Sequence, residues 1–444
     1  MVICVTIGGP LLRAPEVNPS ILIDISQLRV GMYIQLDVGW MHHPFPVSSF
    51  RVATAEQIAT LRELGLTEVR YVPKKSDPEH REPAGKEPAL SHLSLETANV
   101  GASAPTDLEA VRRRAVLDAQ NRALAACNQR FDEATRQYQI LERTVSDHPA
   151  KARSTGETLV AGCVSDLLEN GDSVIRLLSE GVGERSAQHP VNVLVLCLLL
   201  GRALGMQSDE LQDVGVAALI HDLGKLKLAP KLRNPTPSMS QDDRLRYETH
   251  VGESVGFARR MGLPDSVVAA IARHHEMADG SGFPLHLKGP ELGRSGQILA
   301  LVNRYDRMCN PASGIDALTP HEALSVIFAQ LKVKFDPVVL GAFIRMMGVY
   351  PPGSIVQLIN DRYALVVSVN SSRPLRPKVI VHDPRVARKD AAIVDLETVP
   401  ELGIRRSLKP AQLPRDALDY LSPRERICYF FERAVSPDPD GANA

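Results

Sequence analysis

Five histidines and one aspartate recur along this chain in positions where their rings and carboxylate could work together. His189 stands in SAQHP, just ahead of a long apolar run. His221 and Asp222 are adjacent in ALIHDLGK, with Lys225 three residues on. His250 lies in YETHVGES. His274 and His275 are adjacent in RHHEMADGSGFP, residues 273–284. Downstream, LALVNRYDRM sets Asn303 and Asp306 on one helical face. Taken singly, a histidine near a helix end is most often capped or solvated. The set reads differently, because its members lie at the ends of apolar helices that must pack together. Asp222 follows the uncharged run VGVAALI, where an unpaired carboxylate is expensive to bury. A divalent cation removes that cost by turning the carboxylate and neutral imidazoles into ligands. Nitrogen and oxygen donors without a thiolate point to Fe, Mn or Zn.

The elements that must hold these residues are mainly helical. From Asp107 the text is rich in Ala, Arg, Glu and Gln, with no proline before Pro149, and helical pieces run on to about Phe343. His189 opens an apolar helix, with Pro190 expected in its first turn. Ser208 is the expected N-cap of the helix that ends at His221, with Asp209 and Glu210 behind it. The glycines of Gly280-Ser281-Gly282 are expected to let the backbone come close to a ligand.

Around this region lie two smaller ones. Residues 1–75 read as a small α+β module, with Thr54 as a helix N-cap. Residues 76–106 are rich in Pro, Ser, Gly and charge and read as a linker. Residues 107–348 form the all-helical region. Residues 349–444 read as a small β-rich module, since SIVQLI, YALVVSV and KVIVHD are strand-like runs separated by turns. The long helix from Asp107 is either a dimerisation helix or one packed on the helical region.

Read in order, His189, His221-Asp222-Leu223-Gly224-Lys225, His250 and His274 to Pro284 resemble the HD-GYP branch of the HD-domain metal-dependent phosphohydrolases. The resemblance covers about residues 166–330. Gly282-Phe283-Pro284 stands for the name-giving Gly-Tyr-Pro, and ISQLRVGMY (25–33) resembles a small domain often found ahead of such cores. The resemblance implies an HD-type helical core, two divalent ions (Fe or Mn), and hydrolysis of cyclic di-GMP to pGpG, with GMP as the end point of a second cleavage. His189, His221 and Asp222 would hold one ion. Asp222 would bridge to a second, held by His250, His274 and His275. Lys225 would face the scissile phosphate beside Gly282, Phe283 and Pro284, and the same loop is a candidate surface for protein partners. Glu184 lies near the position of an additional carboxylate ligand in some members.

Besides Phe283 in place of tyrosine, the chain departs from the family in two further places. Asn303 stands where an aspartate usually completes the first metal site, and it brings a carbonyl oxygen without charge. The segment from Asn310, NPASGIDALTP, lacks the arginines that usually grip the nucleotide. Two alternatives to cyclic di-GMP hydrolysis therefore stay open: a binding module without turnover, and a phosphohydrolase for another nucleotide.

Composition narrows the rest. A formal net charge of -1 and 5% aromatics give no footprint for polymeric nucleic acid. The longest apolar stretch is too short to span a bilayer. Six scattered cysteines suit a reducing compartment, and no signal peptide is evident, so the expected location is cytoplasmic.

Overall fold

The computed structural model describes residues 21–35, 49–52, 55–63, 68–73, 76, 107–169, 173–311, 316–370, 376–399 and 401–433. Thr54 and all of the expected linker but Ser76 lie outside the described residues. So does part of the segment that lacks the family's arginines.

The chain divides into two compact units, residues 1–101 and 102–444. In the first, β1 (Ile21–Asp24), β2 (Tyr33–Gln35), β3 (Ser49–Arg51) and β4 (Glu68–Tyr71) form an antiparallel sheet in the order β1-β4-β2-β3. Helix α1 (Ala55–Glu63) contributes Ile58 and Leu61 to a small core with Leu28, Met32, Ile34, Val52 and Val69.

The second unit begins with α2 (Asp107–Thr144) and α3 (Pro149–Glu169). The C-terminal half of α2 packs into the main core through Phe131, Tyr138 and Leu141, which decides the packed reading for that half. Next comes β5 (Ser173–Leu177), a strand where the sequence reading had only helix. Its β-branched Val174 and Ile175 are buried between two partner strands.

Helices α4 (Arg185–Ala203), α5 (Ser208–Ile220), α6 (Gln241–Arg260), α7 (Asp265–Ala272) and α8 (Gly293–Cys309) surround the site, and α9 (Pro320–Leu331) and α10 (Pro337–Met347) complete the helical layer. Helix α4 is apolar on every side and runs through the centre, with Val191 through Leu198 buried. Two details differ from expectation. Helix α4 starts at Arg185, so Pro190 is its sixth residue and removes one backbone bond from the helix interior. The N-cap of α5 is Gln207, whose N–H donates to the Glu210 carboxyl at 2.9 Å, and Ser208 is already helical.

The remaining strands, β6 (Ile355–Leu358), β7 (Tyr363–Asn370), β8 (Lys378–Val381), β9 (Ile393–Asp395), β10 (Ile404–Leu408) and β11 (Tyr429–Arg433), join β5 in one antiparallel sheet. The expected meander is present as β6-β7-β8. The sheet is not confined to the residues after 348, however, because β5 pairs with both β7 and β11. Tyr429 and Phe431 of β11 lie in the same core as α4 and α8. Helix α11 (Arg415–Leu421) precedes the last strand.

Candidate metal centre

Three of the imidazoles are aimed by backbone carbonyls. His221 caps α5, and its Nδ1 lies 2.7 Å from the Ala218 carbonyl. His250, within α6, places Nδ1 on the Tyr247 carbonyl. His274, in the turn after α7, places Nδ1 2.6 Å from the Ile271 carbonyl. A carbonyl can only accept, so each Nδ1 carries the proton and each Nε2 presents a lone pair. His189 is aimed by a side chain instead, with Nδ1 2.6 Å from Asp306 Oδ2.

These lone pairs converge. His189 Nε2 and His221 Nε2 are 3.3 Å apart, as are His250 Nε2 and His274 Nε2. Between them lies Asp222, whose side chain is only 9% exposed. Its Oδ2 is 3.4 Å from both His189 and His221, and its Oδ1 is 3.5 Å from His250 and 3.8 Å from His274. Two groups result, Asp222 with His250, His274 and His275, and His189 with His221 and Asp222. Within each, the candidate donor atoms all lie within 4.8 Å of one another. Asp222 Oδ1 is buried and accepts no hydrogen bond. A buried anionic oxygen facing converging imidazole lone pairs is what a divalent cation satisfies and what a protein alone leaves unfavourable. The residues present therefore fit a metal.

The electrostatics agree. Burial pushes His250 down to about 4 and holds His274 and His275 well below the ordinary imidazole range. Burial also lowers His221. These rings stay neutral, as ligands must be. For Asp222 burial acts to raise the pKa, but Lys225 and Arg307 outweigh it and keep the group ionised.

The remaining expected residues gather nearby, with altered roles. Lys225 Nζ donates to Asp222 Oδ2 at 2.7 Å, so in this arrangement it holds the carboxylate. Asn303 is buried on α8, and its Oδ1 accepts from Arg307 Nε at 2.9 Å, which engages the oxygen expected to serve a metal. Phe283 stacks on His275 with centroids 4.5 Å apart and forms a wall of the site, followed by Pro284. The glycines also have roles in the fold of the loop. A Cβ on Gly282 would lie 2.4 Å from the Glu276 Cα, so its bare Cα is needed for packing, and Gly280 has a φ of +80°. Glu184 precedes α4 and lies outside both donor groups.

Three features escaped the sequence reading. Arg307, one turn beyond Asn303, donates to Asp222 Oδ2 at 2.6 Å. Glu276, fully buried, accepts from the N–H groups of Leu285 and Leu287 at 2.6 and 3.0 Å and clamps the loop after Phe283. Gly224 packs its Cα on α6, where a Cβ would come 2.0 Å from the His250 carbonyl oxygen. None of the three left a signal in the sequence that points to its role.

Comparison with known proteins agrees with this geometry. Residues 163–339 match the HD domain family, and residues 20–154 match a domain of unknown function, DUF3391. The helical core is an HD domain, the fold of metal-dependent phosphohydrolases. Within that domain, the ordered histidines and the Gly282-Phe283-Pro284 loop are similar to the HD-GYP branch. The chain is 26% identical over 367 residues to a cyclic di-GMP phosphodiesterase of Pseudomonas aeruginosa, spanning 81% of this chain and 84% of that protein. It is 27% identical over 177 residues to 3'3'-cGAMP-specific phosphodiesterase 2 of Vibrio cholerae, spanning 39% of this chain and 34% of that one. Among solved structures, an HDG"Y"P protein from Bdellovibrio bacteriovorus aligns over 73% of this chain and 98% of its own, at 15% identity and a TM-score of 0.42. Among the described residues, no helix is long and apolar enough to cross a membrane.

Proposed function

We propose that the chain is a metal-dependent phosphodiesterase that hydrolyses cyclic di-GMP to pGpG, with GMP as the product of any second cleavage. The observation that carries this reading is Asp222, a buried carboxylate with an unpartnered oxygen, set between two pairs of converging imidazoles. His250, His274, His275 and Asp222 would hold one divalent ion, and His189 and His221 with Asp222 would offer a place for a second. Fe or Mn suits this nitrogen and oxygen set. When bound, such ions supply an activated water near neutral pH and charge for a phosphodiester. The chain's own residues supply the rest. His221, His250 and His274 are held in one tautomer by backbone carbonyls, and His189 is oriented by Asp306. Lys225 and Arg307 bring positive charge beside Asp222, where a phosphate oxygen would sit. Phe283 offers an apolar wall. The chain would work in the cytoplasm, on a small nucleotide and not on polymeric nucleic acid, with the 282–284 loop open to protein partners and the exposed start of α2 open to a second copy.

The test is anaerobic loading of the purified protein with Fe(II) or Mn(II), followed by incubation with cyclic di-GMP. Formation of pGpG that disappears in Asp222→Ala supports the reading, and tight binding without turnover overturns it. A second reading is favoured by the stretch similar to the 3'3'-cGAMP enzyme. Turnover of 3'3'-cGAMP but not of cyclic di-GMP in the same assay would establish it.

A further inference from the structure

The two oxygens of Asp222 are not equivalent. Oδ1, on the side of His250, His274 and His275, is buried and accepts nothing. Oδ2, on the side of His189 and His221, already receives Lys225 Nζ at 2.7 Å and Arg307 at 2.6 Å. The first side offers three imidazoles and a free carboxylate oxygen, which is enough for a stable divalent site with room for water or substrate. The second side offers two imidazoles and an oxygen shared with two cationic side chains. The donor expected to complete this side, Asn303 Oδ1, is itself committed to Arg307 Nε at 2.9 Å. One guanidinium thus occupies both oxygens that a second ion would need. It also carries a permanent charge, because arginine does not deprotonate in proteins.

We infer that this chain holds one tightly bound divalent ion, on His250, His274, His275 and Asp222 Oδ1, and that Arg307 takes the place of the second as a fixed positive charge for the substrate phosphate. The inference rests on the proposed phosphodiesterase reading and narrows it. Asn303 and Arg307 act as a pair. The neutral amide removes the charge that would recruit an ion, and its oxygen orients the guanidinium toward Asp222. A planar fork of donors suits a phosphodiester oxygen. It also supplies an arginine at the site itself, where the segment from Asn310 has none.

The test uses the full chain, stripped of metal and reloaded with Mn(II). Metal content after desalting is measured alongside electron paramagnetic resonance. The wild type is expected to retain one Mn per chain with the six-line spectrum of an isolated ion. Asn303→Asp combined with Arg307→Ala is expected to retain two, with the broadened spectrum of a coupled pair. Arg307→Ala alone should raise KM for cyclic di-GMP at least tenfold, while the tightly held Mn stays at one per chain. Two coupled ions in the wild type, with cyclic di-GMP hydrolysed, would overturn this inference and leave the phosphodiesterase reading standing. No retained metal and no hydrolysis would overturn both. Should the double variant not fold, the wild-type stoichiometry and Arg307→Ala decide the matter by themselves.

Discussion

Asp306 and His189 are joined by a 2.6 Å hydrogen bond, from the imidazole Nδ1 to Oδ2. Asp306 is 1% exposed, and its other oxygen accepts from Asn192 and from Asn310 at 2.9 Å. Those two amides in turn accept the N–H of Tyr429 at 2.8 Å and of Ile427 at 2.7 Å. A polar chain therefore runs from the site to the start of the last strand, and the C-terminal strands take part in aiming His189. Asp306 orients the ring from one turn beyond Asn303, with both oxygens engaged.

Replacing Asp306 should release that ring. With Asp306→Ala the His189 tautomer is no longer imposed, and groups that orient site histidines typically contribute about 10–100-fold to affinity or activity. The expected outcome is a loss of that order in kcat/KM for cyclic di-GMP. Asn310→Ala is expected to follow in the same direction with a smaller loss, since Asn192 remains. Unchanged kinetics in Asp306→Ala would mean that His189 takes no part in turnover.

Gly224 is the tightest contact in the site's scaffold. A methyl group there would sit 2.0 Å from the His250 carbonyl oxygen and 2.6 Å from the Ser254 N. Both are backbone atoms of α6, so the turn after Asp222 and the helix carrying His250 must separate. Overpacking of a core costs about 1–3 kcal/mol and sometimes more, and this contact belongs at the upper end. Gly224→Ala should lower the melting temperature markedly in a thermal scan and lose metal binding with it. A variant as stable as the wild type would contradict the packing described here.

Glu276 holds the Phe283 loop from beneath. Each N–H it serves would be left without an acceptor in Glu276→Ala, and an unsatisfied buried donor costs about 1–3 kcal/mol. Both N–H groups lie in a part-buried loop where water can replace part of the lost bonding, so a net loss of about 1–3 kcal/mol is expected in denaturant unfolding. Hydrogen exchange at Leu285 and Leu287 should quicken by more than it does in α4. Uniform acceleration across the molecule would argue against a local clamp.

Four of the candidate ligands, His221, Asp222, His274 and His275, were legible in the sequence because they sit in short motifs, HD and HH, at the ends of apolar helices. Physical cost alone marks such placements, since Asp222 after VGVAALI needs a cation. Arg307 was not legible. Nothing in NRYDRM says which of two arginines turns inward, and the answer depends on where α5 delivers Asp222. Strand β5 was missed for a related reason. Five residues between helices gain their strand geometry only from β7 and β11, whose paired residues, such as Asn370 with Val174 and Tyr429 with Leu177, lie far away in sequence. The Gly282 loop was recognised, but the close packing of its glycine on the Glu276 backbone was not, because that contact exists only once the loop has folded back.

Stability should depend on pH in a definite direction. His221, His250, His274 and His275 all have folded pKa values lowered by burial, His250 to about 4, against about 6.5 in an unfolded chain. Between those values the unfolded state binds protons that the folded state refuses, so unfolding is favoured as pH falls. The stability associated with neutral rings is complete above about pH 6.5 and is lost progressively toward pH 4. For protein kept metal-free with a chelator, the melting temperature should fall steadily from pH 7 to pH 5. Added Mn(II) should raise it at pH 7, because an ion that binds only the folded state stabilises it, and the gain should shrink at pH 5 as protons compete for the same lone pairs. A melting temperature that holds steady or rises on acidification, without metal, would show that these imidazoles are not buried neutral in the folded protein.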